Sequence, residues 1–219
     1  SINSTFPATH SYVQKLGDGV LFFDIETNGL PQHKKGLTYA PYNDIVAYNS
    51  SRIVQLSGML CDRASLEPVK SVNIIIKADE FPIDNAQYHG ITEEKSLKEG
   101  TFFLIAVQQI LPMLRQAKYI VSHNAEFDIV IFKSELFRYG LSSALQQVES
   151  LKPVCTMYLT KPLIGSSDKN GNLKNPSLQE LYNYATEGKE FGDTTLDVEK
   201  LHDAIKALYE KGMLGNVFD

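Results

Sequence analysis

The most informative stretch of the sequence is GVLFFDIETNGL, residues 19–30. Its first half consists of apolar, β-forming residues and the turn signal Thr27-Asn28-Gly29 closes it, so the stretch predicts a buried strand that ends in a turn. Asp24 and Glu26 are two positions apart, and on a strand their side chains point to the same face while Ile25 points away. Two carboxylates at the end of an apolar strand are costly to bury unless something compensates them. The pair is therefore a candidate cation site, and a strand end that emerges into water is the alternative.

Composition places the chain among globular proteins. It has 219 residues, of which 43% are hydrophobic and 21% charged, which excludes a disordered or collagen-like chain. Its apolar runs are much shorter than the roughly 20 residues of a membrane-spanning helix. Without a secretory signal pattern, and with two cysteines in no metal-binding pattern, we expect an intracellular, cytoplasmic protein with no membrane contact. The net charge of -5 argues against coating of nucleic acid unless bound cations reverse the sign locally.

The order of the predicted elements indicates an α/β domain. Strands come first and then alternate with helices, which is typical of a three-layer arrangement in which helices flank a mixed central β-sheet. Residues 1–18 are expected to be an N-terminal extension, residues 19–219 a single domain, and residues 31–51 an insertion with three tyrosines at a binding surface. The further predicted elements are a hairpin of strands 52–60 and 71–77, a helix from Gly100 with a kink at Pro112, a strand at 118–122, and helices at 124–140, 177–185 and 195–212. The helix from Gly100 is expected to bury Leu104, Val107, Leu111 and Leu114.

Two further sites carry acids in line with apolar helix faces. Asn124 and Asp128 are four residues apart and share one helix face, which allows a functional pair but also a helix N-cap with a first-turn acid. Asp197 lies four residues before Leu201 on the stripe that the last helix is expected to bury. An acid in that position needs a partner, or it is a first-turn carboxylate that the helix dipole stabilises.

The segments FDIETNGL, HGIT, HNAEFDIVIF and LDVEKL together resemble the DEDD superfamily of 3′–5′ exonucleases, which have an RNase H-like core. The similarity is greatest to the proofreading-subunit and small exoribonuclease group and spans residues 19–212. Asp24 and Glu26 match the first acidic motif of the family, Asp128 the second and Asp197 the third. The resemblance implies metal-dependent removal of nucleotides from single-stranded 3′ ends of DNA or RNA, with a polymerase as a candidate partner.

The family's chemistry is two-metal phosphodiester hydrolysis. Two Mg²⁺ or Mn²⁺ ions require oxygen ligands, and the resemblance assigns Asp24 to both ions and Asp128 and Asp197 to one each. Glu26 is expected to serve one ion, the attacking water and the terminal 3′-hydroxyl. The positions implied for substrate binding are Thr27, Leu30, His89 and Asn124. For His89, a role in a turn before a helix cap at Thr92 is an equal alternative, and the neighbouring His123 is expected to be structural.

The third motif departs from the family pattern. One branch of the family has a histidine five residues before the last acid, and another has a tyrosine four residues before it. This chain has Gly192 and Asp193 at those positions. Asp193 is a candidate base because a carboxylate can accept the proton. The alternatives are ionisation of the water without a dedicated base, loss of turnover with binding retained, and a register shifted by a residue or two. His202 is not a substitute and is expected to be a surface residue.

Two classes of function therefore remain open. The first is a working 3′–5′ exonuclease, which the retention of all four acids favours. The second is a catalytically weak or inactive module, or a polymerase-associated subunit, that binds nucleic-acid ends, which the missing base favours. The sequence does not distinguish DNA from RNA or proofreading from RNA processing. It also leaves open whether the insertion at 31–51 stacks bases, covers the site or forms a dimer contact.

Overall fold

The computed structural model describes residues 17–190, 192 and 195–219. Its strands are β1 Gly19–Thr27, β2 Ile53–Cys61, β3 Pro68–Ile75, β4 Ala117–Ser122 and β5 Lys152–Cys155. Its α-helices are α1 Ala86–His89, α2 Glu93–Glu99, α3 Phe103–Gln116, α4 Ala125–Arg138, α5 Ser142–Ser150, α6 Thr156–Ile164, α7 Leu178–Thr186 and α8 Asp197–Glu210. A short 3-10 helix, Ile45–Tyr48, lies within the insertion. No helix in the described part of the chain is both long and apolar enough to cross a bilayer.

The five strands form one mixed sheet in the order β3-β2-β1-β4-β5. β1 pairs antiparallel with β2, and β2 with β3, whereas β4 pairs parallel with both β1 and β5. The carboxyl ends of β1, β4 and β5 therefore meet at one edge of the sheet. Because loops that leave the carboxyl ends of parallel strands commonly carry binding residues, this edge is where the acids are expected to gather.

Side chains of β1 alternate between two hydrophobic cores, one on each face of the sheet. Leu21, Phe23 and Ile25 pack in the core that holds α3, α4 and α5. Val20 and Phe22 pack in the opposite core with α7 and α8. These two cores confirm the three-layer α/β prediction, and the alternation puts Asp24 and Glu26 on the α8 side of the sheet.

Helix α3 buries a different stripe from the one that the sequence predicts. Val107 and Leu114 are buried as expected, but Leu104 is exposed and the helix continues past Pro112 to Gln116. The buried stripe instead contains Phe103, Ala106, Val107, Ile110, Met113 and Leu114. The prediction for Leu104 was wrong because this helix has more apolar residues than one face can bury. Leu104 and Ile105 are among those that stay exposed.

The insertion at 31–51 packs against α4. The hydroxyl of the fully buried Tyr48 donates a hydrogen bond to the Ala40 carbonyl. From α4, Arg138 donates to Asn49 Oδ1 at 2.9 Å and to the Ile45 carbonyl at 3.0 Å. The insertion is thus fixed to the same helix that carries Asp128.

A buried ion pair joins the start of β2 to α4. Arg52 Nε lies 2.5 Å from Glu135 Oε1, and both side chains are almost completely shielded from solvent. Tyr139 accepts a hydrogen bond of 3.1 Å from the same guanidinium, and the Phe81 ring lies 4.7 Å from it. Burial raises the pKa of Glu135, and the charge of Arg52 opposes that rise.

Removing the carboxylate of this pair should destabilise the fold strongly. We expect Glu135→Ala to lower the free energy of unfolding by about 3–5 kcal/mol, because it leaves the Arg52 charge buried without a counter-ion. Urea denaturation measures the change. Glu149→Ala is the control, since Glu149 forms a more exposed ion pair with Lys133 at 3.6 Å and its loss should cost less than about 1 kcal/mol. Equal effects of the two substitutions would contradict the prediction.

His202 is a buried residue, so its expected surface position was wrong. Its Nε2 donates to the Leu66 carbonyl at 2.7 Å, and its ring meets Phe22 edge-on with the centroids 5.2 Å apart. Burial favours a lower pKa for His202, but hydrogen bonds to Asp203, Cys61 and Leu66 raise it to about 10. The turn between β2 and β3 covers this face of α8, and the periodicity of the helix alone does not reveal that cover.

Candidate active site

Three carboxylates meet at the carboxyl edge of the sheet. Asp24 and Glu26 come from the α8 side of β1, and Asp197 is the first residue of α8. Each contributes an oxygen such that the three oxygens lie within 4.8 Å of one another. The residues are far apart in sequence, so the sheet and the helix packed on it create the cluster. This spacing allows the three side chains to bind a common cation.

Burial and mutual repulsion raise the pKa values of Asp24 and Glu26. Burial raises the pKa of Asp24 well above its ordinary value, and the charges of Asp128, Glu26 and Asp197 raise it further. Burial also raises the pKa of Glu26 to about 7, with the charge and a hydrogen bond of Asp197 adding to the effect. The cluster therefore resists full ionisation at neutral pH unless positive charge is added. An oxygen-only donor set fits a hard divalent ion such as Mg²⁺ or Mn²⁺.

Asp128 lies beside this group rather than within it. Its side chain, on the first turn of α4, is only 4% exposed. Burial raises its pKa, the Ser122 hydroxyl and the Ile25 backbone oppose the rise, and the charge of Glu26 adds to it. Within the described residues, Asp128 Oδ2 is buried without a hydrogen-bond partner. An orphaned carboxylate oxygen next to Asp24 fits a role as a ligand of a second ion.

The turn after β1 is held by backbone contacts. Thr27 Oγ1 donates to the Gly29 carbonyl at 2.7 Å, and a Cβ on Gly29 would lie only 2.5 Å from the Ser50 carbonyl oxygen. Asn28 exchanges two hydrogen bonds with the backbone of Arg52, at 2.9 and 2.6 Å. The turn is therefore fixed to the start of β2.

Hydrogen bonds of Asn28 and Asn85 attach the segment before α1 to the same turn. Asn28 Nδ2 donates to the Pro82 carbonyl at 2.9 Å, and Asn85 Nδ2 donates to the Thr27 carbonyl at 3.0 Å. Asn85 Oδ1 also lies 3.0 Å from His89 Nε2. This set of bonds positions His89 over the turn that follows the two acids.

His89 has the turn role that the sequence offered as one alternative, and it also borders the cavities at the site. Its Nδ1 accepts a hydrogen bond from the Ile91 amide at 3.0 Å, and Thr92 caps α2 by accepting from the Lys95 amide at 3.0 Å, so a role in the turn is present. The same ring lines the two cavities beside Glu26. Burial lowers the pKa of His89, which keeps the imidazole neutral.

Two cavities open on either side of Tyr88 and His89. The first, of about 530 Å³, is mainly apolar and includes Leu30, which is 74% exposed, and Phe127. The second, of about 490 Å³, is mainly polar and also borders Glu26 and Asp197. Its polar lining comes from Gln55, Asn73, Lys95 and Thr195. Glu26 therefore lies between an apolar and a polar compartment.

A family comparison assigns the chain. The model of the RNase T family, described as an exonuclease family, matches residues 21–206. The chain belongs to this exonuclease family. The expected DEDD-type family and RNase H-like fold are thereby confirmed, and the enzyme class of the family is phosphodiester hydrolysis. A comparison with curated proteins found no match.

Several exonuclease I structures share the fold of this exonuclease-family chain. A product-bound exonuclease I aligns with a TM-score of 0.65 at 16% identity and covers 89% of this chain and 44% of its own. Exonuclease I from Methylocaldum szegediense aligns with a TM-score of 0.65 at 16% identity, and the alignment covers 88% of this chain and 40% of that enzyme. The E. coli enzyme in complex with a dA16 oligonucleotide aligns with a TM-score of 0.61 at 16% identity, and the alignment covers 88% of this chain and 41% of that enzyme. The chain thus spans less than half the length of these enzymes.

His123 and Asn124 belong to the second exonuclease motif. The N-cap alternative for Asn124 is not realised. Asn124 precedes α4 with a left-handed φ of 71°, yet its side chain does not cap the helix and instead hydrogen-bonds the Tyr39 hydroxyl. His123 is structural, as predicted, because its Nδ1 lies 2.9 Å from Thr156 Oγ1 and its Nε2 lies 2.7 Å from the Pro176 carbonyl.

The third exonuclease motif is described only in part. Gly192 is present where a histidine branch of the family carries its base, and its carbonyl accepts a hydrogen bond of 3.0 Å from the Thr195 amide. Asp193, the candidate base, lies outside the described residues. Asp197 is more exposed than its place in line with the buried stripe predicts, because α8 begins at this residue and Val198 starts its buried face.

Sequence reasoning missed several residues that border the acids. Tyr88 is 80% exposed and lines both cavities, while Gln55 and Asn73 extend the polar surface across β2 and β3. Gln55 is the cross-strand partner of Glu26, so a correct strand register would have identified it. The segment that carries Tyr88 has no periodicity, and its adjacency to His89 was the available signal.

Proposed function

We propose that this chain is a metal-dependent 3′–5′ exonuclease that removes nucleotides from single-stranded 3′ ends. The observation that carries the proposal is the convergence of Asp24, Glu26 and Asp197, with raised pKa values for the first two, in a chain of the exonuclease family. Repulsion among acids that lie this close together supports a site that is completed by cations. The oligonucleotide complexes of E. coli exonuclease I make single-stranded DNA the first substrate to test.

The four acids would divide the work of holding two Mg²⁺ or Mn²⁺ ions. Asp24, whose carboxylate interacts with those of Glu26, Asp128 and Asp197, would hold both ions, while Asp128 and Asp197 would each hold one. When bound, the ions supply positive charge to the attacking water and to the leaving oxygen. Glu26 would orient the water and the terminal 3′-hydroxyl, since its side chain borders both cavities.

The apolar cavity would hold the terminal nucleotide. Leu30 and Tyr88 stand at its mouth and offer sequence-tolerant contacts to a base. Thr27 and His89 lie on the segments that Asn85 ties together, so they would place the sugar relative to Glu26. Asn124 would position substrate near Asp128.

The proton acceptor is the open part of the proposal. Asp193 would take the proton from water or orient it, as a carboxylate can. The alternative is water that ionises without a dedicated side chain. A catalytically weak end-binding module is the second candidate function, favoured by Gly192 and Asp193 at the positions where the family carries its base.

Incubation with 5′-labelled single strands tests the function. DNA and RNA of one sequence, with Mg²⁺ or Mn²⁺, should give a ladder that shortens from the 3′ end and releases nucleoside 5′-monophosphates. A strand with a 3′-terminal phosphate, which replaces the hydroxyl near Glu26, should be degraded more slowly. Tight binding without shortening in either metal would support the end-binding module instead, and cleavage within the strand would contradict the exonuclease.

The domain limits and partners belong to the same proposal. Residues 19–219 would form one exonuclease-like domain behind an N-terminal extension, residues 1–18. A polymerase partner, and with it a role in proofreading, stays a prediction from the resemblance, and co-purification with a polymerase would test it.

A further inference from the structure

Two tyrosines lie near the acids on the side of β4 and β5. The carboxyl ends of β1, β4 and β5 share one edge of the sheet, and α4 and α6 begin there. Tyr158, in the first turn of α6, is 53% exposed. Tyr39 comes from the insertion and is half-buried at the start of α4. Helix starts and the insertion thus bring two aromatic side chains to the edge where the acids gather.

Contacts of Tyr39 connect it to the apolar cavity. Its ring meets Phe127 edge-on with the centroids 6.2 Å apart, and Phe127 is also in the wall of that cavity. The Tyr39 hydroxyl is hydrogen-bonded to Asn124, and it lies close enough to the Tyr158 hydroxyl and the Asp128 carboxylate for both to influence its pKa. The aromatic surface therefore continues from the cavity through Phe127 and Tyr39 towards Tyr158, past Asp128.

We propose that Tyr39 and Tyr158, the tyrosine pair, form a stacking site for the bases that lie upstream of the scissile bond. The inference rests on the proposed function, because it requires the 3′-terminal nucleotide to occupy the apolar cavity. Aromatic rings stack on any base, so the site would take single-stranded DNA or RNA without sequence preference. It would be closed to a duplex end, whose bases already stack and pair with each other.

The role of the insertion follows from this assignment. Hydrogen bonds from Arg138 fix the insertion on α4. Within the insertion, the buried Tyr48 hydroxyl donates a hydrogen bond to the Ala40 carbonyl. Tyr39 is consequently held near Asn124 and loses little freedom when a base stacks on it. The insertion would serve as one wall of the substrate path.

Tyr42 offers a matched control on the same insertion. Its ring meets Phe137 at 5.9 Å and lies 4.6 Å from the Lys133 ammonium, contacts with residues beyond the first turn of α4. Tyr42→Ala removes an aromatic side chain from the insertion without touching Asn124, Phe127 or the acids. It therefore reports the effect of a general loosening of the insertion.

Substrate length separates stacking from a structural role. With the p-nitrophenyl ester of thymidine 5′-monophosphate, which has no upstream base, and an octanucleotide as substrates, Tyr158→Ala should raise KM for the octanucleotide roughly tenfold and leave that for the ester almost unchanged. The value of kcat should stay within about twofold for both, since neither tyrosine is among the acids that would hold the ions. Tyr39→Ala should also raise KM for the octanucleotide, and Tyr39→Phe, which keeps the ring, should retain most of the affinity. Tyr42→Ala should show no dependence on length.

The outcomes distinguish this inference from the proposed function. If wild type degrades both substrates but Tyr158→Ala leaves KM unchanged, or raises it equally for both lengths, the stacking site is overturned and the exonuclease stands. If wild type degrades neither substrate, the proposed function fails and the stacking site fails with it. Should Tyr39→Ala unfold, Tyr158→Ala decides the question because its side chain is exposed.

Discussion

Asp24→Asn should abolish hydrolysis while leaving the fold intact. We expect kcat to fall by at least about a thousandfold, since the side chain would hold both ions and metal charge stabilises a transition state by several kcal/mol. The substitution replaces a carboxylate by an amide of the same shape. Because burial and three neighbouring acids disfavour the charge of Asp24, the metal-free variant should be at least as stable as wild type. Single-turnover kinetics on a single-stranded oligonucleotide and thermal unfolding in chelator measure the two effects.

Asp18→Asn is the matched control for this loss. Asp18 immediately precedes β1, at the opposite end from the acids, and forms an exposed ion pair with Arg63 at 2.9 Å. Its neutralisation should change kcat by less than about twofold and stability by less than about 1 kcal/mol. Retention of more than a tenth of the wild-type rate by Asp24→Asn would contradict the assignment of Asp24 as a shared metal ligand.

Divalent ions should stabilise the protein in a pH-dependent way. In chelator, the free energy of unfolding should fall as the pH rises, because the pKa of Glu26 is raised from 4.5 to about 7 in the folded state. A raised carboxyl pKa contributes stability that is present below 4.5 and is lost as the pH rises through about 7. Mg²⁺ or Mn²⁺ at about 100 times its Kd adds about 2.7 kcal/mol, which raises Tm by roughly 5–10 °C.

The pH dependence of this shift identifies the group that is responsible. The metal-induced rise in Tm should be large at about pH 8 and small at about pH 5.5, because protons compete with cations for the same carboxylates. Glu26→Gln should weaken the pH dependence in chelator, to which Asp24 and Asp128 also contribute, and Asp24→Asn should remove most of the metal shift. Equal shifts at the two pH values, or none at either, would contradict a cation site at these acids.

The sequence predicts those parts of the site that depend on local geometry. The two-residue spacing of Asp24 and Glu26 places both on one face of β1, and the four-residue spacing from Asp128 to Phe132 puts that acid at the margin of a buried face. The capping box at Ser177 and Glu180 likewise follows from short-range chemistry. Each of these features needs only a few consecutive residues and a known period.

Features that depend on distant segments were not predictable in the same way. His202 is buried because the turn that ends at Glu67 covers it, and Gln55 borders the acids because β2 pairs with β1 in one register. Tyr39 reaches Asn124 only because the insertion is fixed on α4. A stretch without periodicity carries no internal signal for such placements, so the pairing of remote elements decides them.

The bonds of Asn28 and Asn85 have a consequence for affinity. They connect the β1 turn, the start of β2 and the segment before α1, so the proposed receptor for a chain end exists before any ligand arrives. A preorganised receptor loses little conformational entropy on association, and more of the contact free energy is then available as binding strength. Recognition of a nucleotide by this chain would therefore resemble a rigid template rather than a closing lid.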